Sequence, residues 1–188
     1  MPSHTTTRYT LTAMALHWLL ALGLIGLLVF GWYMVGLPFS PTKLKYYNWH
    51  KWAGMTILAL SALRLLWRIT HRPPALPARI TSLMPRWQQV AHHGVHHLMY
   101  VLFFAVPLLG WAYSSAAGFP VVWFGVWQLP DLVATSPELA ETIKPWHMIA
   151  AYTLAVLIVL HVAAALKHQL VDRDGLLQRM LPGRDGSR

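Results

Sequence analysis

The sequence predicts an all-α fold, a four-helix transmembrane bundle. Hydrophobic residues make up 56% of the 188 residues and charged residues only 11%, whereas a soluble domain carries about a quarter charged residues. The apolar residues come in four long blocks, and the basic residues stand at the ends of those blocks. Together these features predict one integral membrane domain over residues 1–188.

Each apolar block is long enough to cross a bilayer, which takes about 20 mostly apolar residues. We predict spans at about residues 10–33, 47–69, 88–111 and 145–167. Pro107 lies inside the third span, where a membrane helix tolerates it. Ahead of the fourth span, Ser136 and Pro137 are typical of a helix start, with serine at the cap and proline at the first position.

The distribution of lysine and arginine predicts that both termini are cytoplasmic. Eleven basic residues belong to the N-terminus, the second loop and the C-terminal tail: Arg8, Arg64, Arg68, Arg72, Arg79, Arg86, Lys167, Arg173, Arg179, Arg184 and Arg188. The other side holds Lys43, Lys45, Lys51 and Lys144. This pattern explains the net charge of +9 without a nucleic-acid partner. The partner that it indicates is the lipid bilayer.

Four of the eleven histidines lie within the predicted spans at paired depths. His17 and His161 lie toward the cytoplasmic side, and His50 and His147 lie toward the outer side. His147 and His161 are 14 residues apart, which is nearly four turns on one helix face and roughly 21 Å along the axis. The fourth span can therefore offer one axial ligand to each of two stacked cofactors.

Imidazole pairs on facing helices are a common means of holding haem, and the absence of cysteine excludes iron–sulfur clusters and covalent c-type haem. We therefore predict two haem b groups, the outer iron held by His50 and His147 and the inner iron by His17 and His161. No catalytic residue is predicted beyond these ligands. His96, in the third span, is the second choice for the inner iron.

Two other interpretations of the histidines are open at this point. Histidines in a membrane protein can hydrogen-bond across helices or lie at the interface. They can also line a non-redox metal transporter, although such a site normally includes carboxylates and no Asp or Glu lies in any predicted span. His92, His93 and His97, at the start of the third span, receive no role.

Three further cationic or titratable residues lie on the predicted inner side. Arg64 and Arg68 are one turn apart, and we expect one to pair with a haem propionate and the other to extend toward the headgroups. His168 follows His161 by two turns on the same face. There it would lie at the cytoplasmic surface beside the inner haem, where a quinone ring could dock. A headgroup-facing histidine is the alternative.

On the predicted outer side, two lysines flank the histidines. Lys51 adjoins His50, and Lys144 precedes His147 by three residues. Local positive charge raises the rate at which small anions encounter a site. We therefore expect these lysines to steer an anion toward the outer haem, whereas lysines that act only as membrane anchors would have no such effect.

Several motifs resemble bacterial di-haem cytochrome b-561 in order along nearly the whole chain. They are His17-Trp18, Trp49-His50-Lys-Trp-Ala-Gly54, Arg64-Leu-Leu-Trp-Arg68 followed by Pro73-Pro74, His96 ahead of Tyr100, Pro107-Leu-Leu-Gly110, and His161 with His168. The resemblance is closest to the short, free-standing branch that includes superoxide oxidase.

This resemblance implies an oxidoreductase of the bacterial inner membrane. The family takes one haem ligand from the first span, one from the second and two from the fourth, and these fall on His17, His50, His147 and His161. It also implies superoxide as the outer electron donor and ubiquinone as the acceptor near His168. The alternative is a membrane-anchor cytochrome b subunit that passes electrons between a periplasmic hydrogenase or dehydrogenase and quinone.

Overall fold

The structure, a computed structural model, describes residues 8–76 and 85–183, apart from the side chains of four residues in the third helix. Those four are Trp87, Ala91, His92 and His93. Arg79, Arg184 and Arg188, which entered the predicted orientation, lie outside the described residues. Nothing in the structure therefore bears on the roles of His92 and His93.

Within the described part of the chain, four helices are long and apolar enough to cross a membrane, which confirms the predicted fold class. They are α1 (Leu11–Val35), α2 (Pro41–Thr70), α3 (Arg86–Ala116) and α4 (Pro137–Lys167). All four extend beyond the predicted apolar spans, because a helix continues into the polar turns at its ends. The difference is largest in α4, which begins where the Ser136 side chain accepts the N–H of Leu139 at 3.2 Å.

The main neighbour of α4 is α3, although the histidines predicted to pair with those of α4 lie in α1 and α2. α3 packs along both α2 and α4, and α1 packs along α2, whereas α1 and α4 approach each other at few residues. An apolar core that includes Leu24, Ile57, Phe103 and Leu154 fills the middle of the bundle. Leu154, only 1% exposed, lies midway in α4 between His147 and His161.

A short antiparallel hairpin follows α3 at the end of the bundle that the charge pattern predicts to be the outer one. Its strands are β1 (Val122–Trp123) and β2 (Trp127–Gln128), with Trp123 opposite Trp127. The Trp123 indole N–H reaches the carbonyl oxygen of Trp52 and the Thr56 hydroxyl, both at 3.3 Å. These contacts fasten the hairpin to the side of α2.

The C-terminal segment folds back against the inner end of the bundle. It contains a π-helical turn (His168–Asp172) and a 3-10 turn (Leu177–Met180). The N–H of Tyr9 donates to the Arg179 carbonyl at 3.3 Å, and the Trp18 indole donates to the Met180 carbonyl at 2.8 Å. Both ends of the described chain therefore lie on one side of the bundle. The assignment of that side to the cytoplasm stays a prediction from the charge pattern.

Candidate haem sites

The outer histidine pair joins α2 to α4. The ring centres of His50 and His147 are 6.4 Å apart, and the rings are nearly perpendicular at 89°. The His147 Nδ1–H donates to the carbonyl oxygen of Val106 at 3.0 Å. This hydrogen bond leaves Nε2 as the nitrogen that can bind a metal, an arrangement usual for metal-ligating histidines.

Glycines make room for both outer rings. A Cβ atom added at Gly31 would lie 3.3 Å from Cε1 of His50, and one added at Gly110 would lie 3.0 Å from Cε1 of His147. No atom lies within 4 Å of a Cβ built at Gly54, one turn beyond His50. The outer rings therefore pack closely against Gly31 and Gly110, and the described residues leave open space at Gly54, one turn from His50.

The inner histidine pair joins α1 to α4. The ring centres of His17 and His161 are 6.3 Å apart, at an angle of 67°. His96 of α3 also faces His161, with ring centres 5.1 Å apart. The structure thus brings all three predicted inner histidines together, at two different separations.

The spacing of both histidine pairs, His50 with His147 and His17 with His161, fits a haem iron held by two imidazoles. An imidazole nitrogen lies about 1 Å from its ring centre and binds metal at about 2 Å, so two axial rings need centres about 6 Å apart. The separations of 6.4 Å and 6.3 Å meet this requirement, whereas 5.1 Å between His96 and His161 is too short. Nδ1 of His50 is buried with no hydrogen-bond partner in the described structure.

Two arginines of α2 lie near the inner histidine pair. Arg64 is half-buried, donates to the Ala13 carbonyl at 3.3 Å and interacts electrostatically with His17 and His161. Arg68 is exposed, with its guanidinium 5.5 Å from the centre of the Tyr100 ring. The structure therefore separates the two arginines, with Arg64 toward the histidines.

A cavity of about 70 Å³ opens at this inner end between α1 and α2. Its lining includes Arg8, Arg64, Arg68 and Arg72, and none of the described residues that line it is Asp or Glu. Such a surrounding suits an anionic group such as a carboxylate.

His168 lies at the inner end of α4, as predicted, but it is less exposed than expected for a surface histidine. Its side chain is only 14% exposed, because the following turn folds over it. Nδ1 lies 2.6 Å from a carboxylate oxygen of Asp174. Sequence reasoning did not identify Asp174, which carries no recognisable motif.

The outer lysines are engaged by neighbouring groups. The Lys51 ammonium donates to the carbonyls of Phe119 and Pro120, at 3.3 Å and 3.2 Å. Lys144 lies 3.6 Å from Glu141 in an exposed i,i+3 pair. Lys51 therefore has a structural contact that the sequence did not predict, and the charge of Lys144 is partly balanced.

Comparison with known proteins agrees with this architecture. The sequence model of the family described as prokaryotic cytochrome b561 matches residues 8–183. "Cytochrome b561 homolog 2" of Escherichia coli (strain K12) is 32% identical over 186 residues, which is 95% of this chain and 94% of that protein. "Probable superoxide oxidase CybB" of Yersinia pestis is 31% identical over 185 residues, which is 95% of this chain and 98% of that protein.

The four-helix fold and these matches define an electron-transfer protein of the bacterial inner membrane, a multi-pass cytochrome that binds haem b. The chain belongs to the prokaryotic cytochrome b561 family.

Proposed function

We propose that this cytochrome carries two haem b groups and transfers electrons from superoxide on the outer side to ubiquinone on the inner side. The observation that carries the proposal is the presence of two histidine pairs toward opposite ends of α4, with ring centres 6.4 Å and 6.3 Å apart. Bound haem b supplies reversible one-electron oxidation and reduction of its iron.

In this proposal, His50 and His147 would hold the outer haem iron, and His17 and His161 would hold the inner one. Two imidazoles on one iron leave no position for oxygen to bind, which favours electron transfer. Arg64 pairs with an inner propionate, and Arg68 contributes positive charge nearer the surface. His96 packs against His161 without binding iron, since its ring centre is too close.

Superoxide as the donor is supported by the likeness to a relative named as a superoxide oxidase. The stoichiometry is also simple. Two superoxide anions each lose one electron and become dioxygen, and one ubiquinone takes up two electrons and two protons to become ubiquinol. We place the quinone ring next to His168, on the side of the bundle where both ends of the described chain lie and which the charge pattern assigns to the cytoplasm.

The test is a haem count combined with a reaction assay on the purified protein. We expect two acid–acetone-extractable haem groups per chain, and superoxide-driven formation of ubiquinol. One haem per chain would contradict the two-site assignment. A holoprotein with two haems that superoxide does not reduce would contradict the proposed donor.

A second candidate is a membrane-anchor subunit for a periplasmic hydrogenase or dehydrogenase. The observation in its favour is the apolar outer hairpin region, where Phe119, Val126 and Trp127 are 62%, 88% and 66% exposed. A separate redox protein that copurifies and reduces the haem would support this candidate. Reduction of the isolated chain by superoxide at a comparable rate would argue against it.

A further inference from the structure

Two carboxylates lie near the ring of His168, and one of them, Asp174, is its hydrogen-bond partner. Nδ1 of His168 lies 2.6 Å from Oδ2 of Asp174 and 3.1 Å from Oδ2 of Asp172. The side chains of His168 and Asp174 are each 14% exposed. Because carboxylate oxygens accept hydrogen bonds, Nδ1 carries the hydrogen, and Nε2 is the nitrogen that can act on a substrate.

The two carboxylates differ in what else they bind. The two carboxylate oxygens of Asp172 accept hydrogen bonds from the Lys167 ammonium at 2.9 Å and 2.6 Å, and the Asp172 side chain is 31% exposed. Asp174 uses Oδ1 to accept the N–H of Leu176 at 3.0 Å and directs Oδ2 at His168. Asp172 is therefore neutralised mainly by lysine, whereas Asp174 is the dedicated partner of His168.

The backbone of this turn is shaped to return Asp174 to His168. Arg173 has a φ of 49° and Gly175 a φ of 79°. A left-handed conformation is uncommon for a residue other than glycine, and it persists where surrounding contacts hold it. The N–H of Asp174 also donates to the His168 carbonyl at 3.3 Å. Backbone and side chain together thus fix one carboxylate oxygen against one ring nitrogen.

Resting on the proposed function, we infer that Asp174 is a positioning residue for quinone reduction, holding His168 so that Nε2–H donates a proton to a quinone carbonyl oxygen. The ring that donates is the imidazolium, with hydrogen on both nitrogens, and formation of the new O–H bond breaks its Nε2–H bond. The neutral ring still donates Nδ1–H to Asp174 and takes up the next proton from water. The two electrons come from two superoxide anions, and both protons come from the aqueous phase at this end of the bundle.

A cation site is a weaker interpretation of the same groups. His168, Asp172 and Asp174 place one ligand atom each within 4.8 Å of one another. However, the ammonium of Lys167 already contacts Asp172 at 2.6 Å. Removal of Asp174 is therefore expected to affect proton delivery to quinone and not the binding of a metal ion.

The test uses the holoprotein reduced with a stoichiometric amount of dithionite and then mixed with ubiquinone-1. The assay follows haem re-oxidation against quinone concentration, so it does not depend on the natural donor. Asp174→Asn retains an oxygen for the Leu176 N–H but turns an amide NH2 toward His168, which moves the ring hydrogen to Nε2. The Nε2–H group can still donate a hydrogen bond to a quinone carbonyl. Transfer of that proton, however, would leave the ring as an imidazolate anion, which is unfavourable.

We therefore expect Asp174→Asn to lower the maximal rate at least about tenfold, with a half-saturating quinone concentration within about twofold of wild type. Asp172→Asn is the matched control and should change both values less than about twofold. Asp174→Ser keeps an oxygen for Leu176 and is too short to reach His168, so it should show the same loss of rate if the asparagine variant does not retain haem.

An unchanged maximal rate in Asp174→Asn would overturn the inference, as would loss of haem from both Asp174 variants, since Asp174 would then be structural. His168→Gln separates this result from the proposed function. If His168→Gln leaves re-oxidation unchanged, the quinone site at His168 is wrong. If His168→Gln slows re-oxidation and Asp174→Asn does not, only the inference about Asp174 fails.

Discussion

His147 donates its Nδ1–H to the carbonyl oxygen of Val106 across 3.0 Å, a hydrogen bond that ties α4 to α3 at the outer site. The bond selects one tautomer and one ring orientation and leaves Nε2 as the nitrogen able to bind a metal. Gly110, one turn beyond Val106, permits this approach, because a Cβ atom there would lie 3.0 Å from Cε1 of the ring.

The first prediction concerns this glycine. Gly110→Ala should displace the His147 ring by a few tenths of an ångström and weaken outer haem binding by about 1–3 kcal/mol, the usual cost of overpacking. Gly26→Ala is the control, since a Cβ atom at Gly26 meets nothing within 4 Å. Haem content and visible spectra are the measurements. Equal haem occupancy in the two variants would contradict the prediction.

The second prediction is that the two haems can be removed separately. His50→Ala or His147→Ala should remove the outer haem and spare the inner one, and His17→Ala or His161→Ala should do the reverse. His96→Ala should retain both haems. Low-temperature spectra of the five variants provide the test. Loss of the inner haem in His96→Ala together with its retention in His17→Ala would reverse the assigned pairing.

The third prediction concerns the inner arginines. Arg64 interacts electrostatically with both inner histidines, so Arg64→Gln should remove a positive charge from the proposed inner haem site, where it would favour the reduced iron. The inner midpoint potential should fall by roughly tens of mV, since cofactor potential depends on nearby charge. Arg68→Gln is the control, because its guanidinium lies over Tyr100, and it should have a smaller effect. Redox titration would contradict the prediction if the two shifts were equal.

The fourth prediction tests steering at the outer face. Lys144 and Glu141 form an exposed pair 3.6 Å apart, so Lys144→Gln should slow reduction by superoxide and Glu141→Gln should accelerate it. Each change should be below about threefold and should diminish as salt is added, because exposed charges are screened. Stopped-flow measurements across ionic strength give the answer. Rates that do not depend on salt in any variant would reject steering.

The fifth prediction concerns the inner end of the bundle. Arg179 is 9% exposed and donates to the carbonyls of Pro74 and Ala75 at 3.0 Å and 2.9 Å. Arg179→Gln should lower the free energy of unfolding by about 2 kcal/mol, the usual value for hydrogen bonds from a charged group. The control is Arg173→Gln, at an exposed side chain. Thermal unfolding in detergent should show a lower midpoint only for Arg179→Gln.

Much of the fold could be predicted because hydropathy and helical periodicity are local properties. Four apolar segments and their basic ends indicate four spans, and the described residues form four helices long and apolar enough to cross a membrane. The spacing of His147 and His161 predicts one helix face with two ligand positions, and depth pairs them with His50 and His17. The observed ring separations agree with that pairing, although the ligand roles themselves stay predictions.

Other features depend on how the helices and loops pack. His17 and His96 reach similar depth, so only the packed bundle distinguishes a ring 6.3 Å from His161 from one 5.1 Å away. Lys51 looks like a free cation in the sequence, yet the outer loop brings two carbonyl oxygens to it.

The sequence by itself determined the four spans, their depths and the helix faces on which histidines recur, because these follow from apolar content and the 3.6-residue period. Only the tertiary structure decided which carbonyl meets His147 and which carboxylate meets His168. The physical reason is that those contacts depend on the rotation of one helix against another and on left-handed backbone at Arg173 and Gly175, neither of which leaves a local periodic signal.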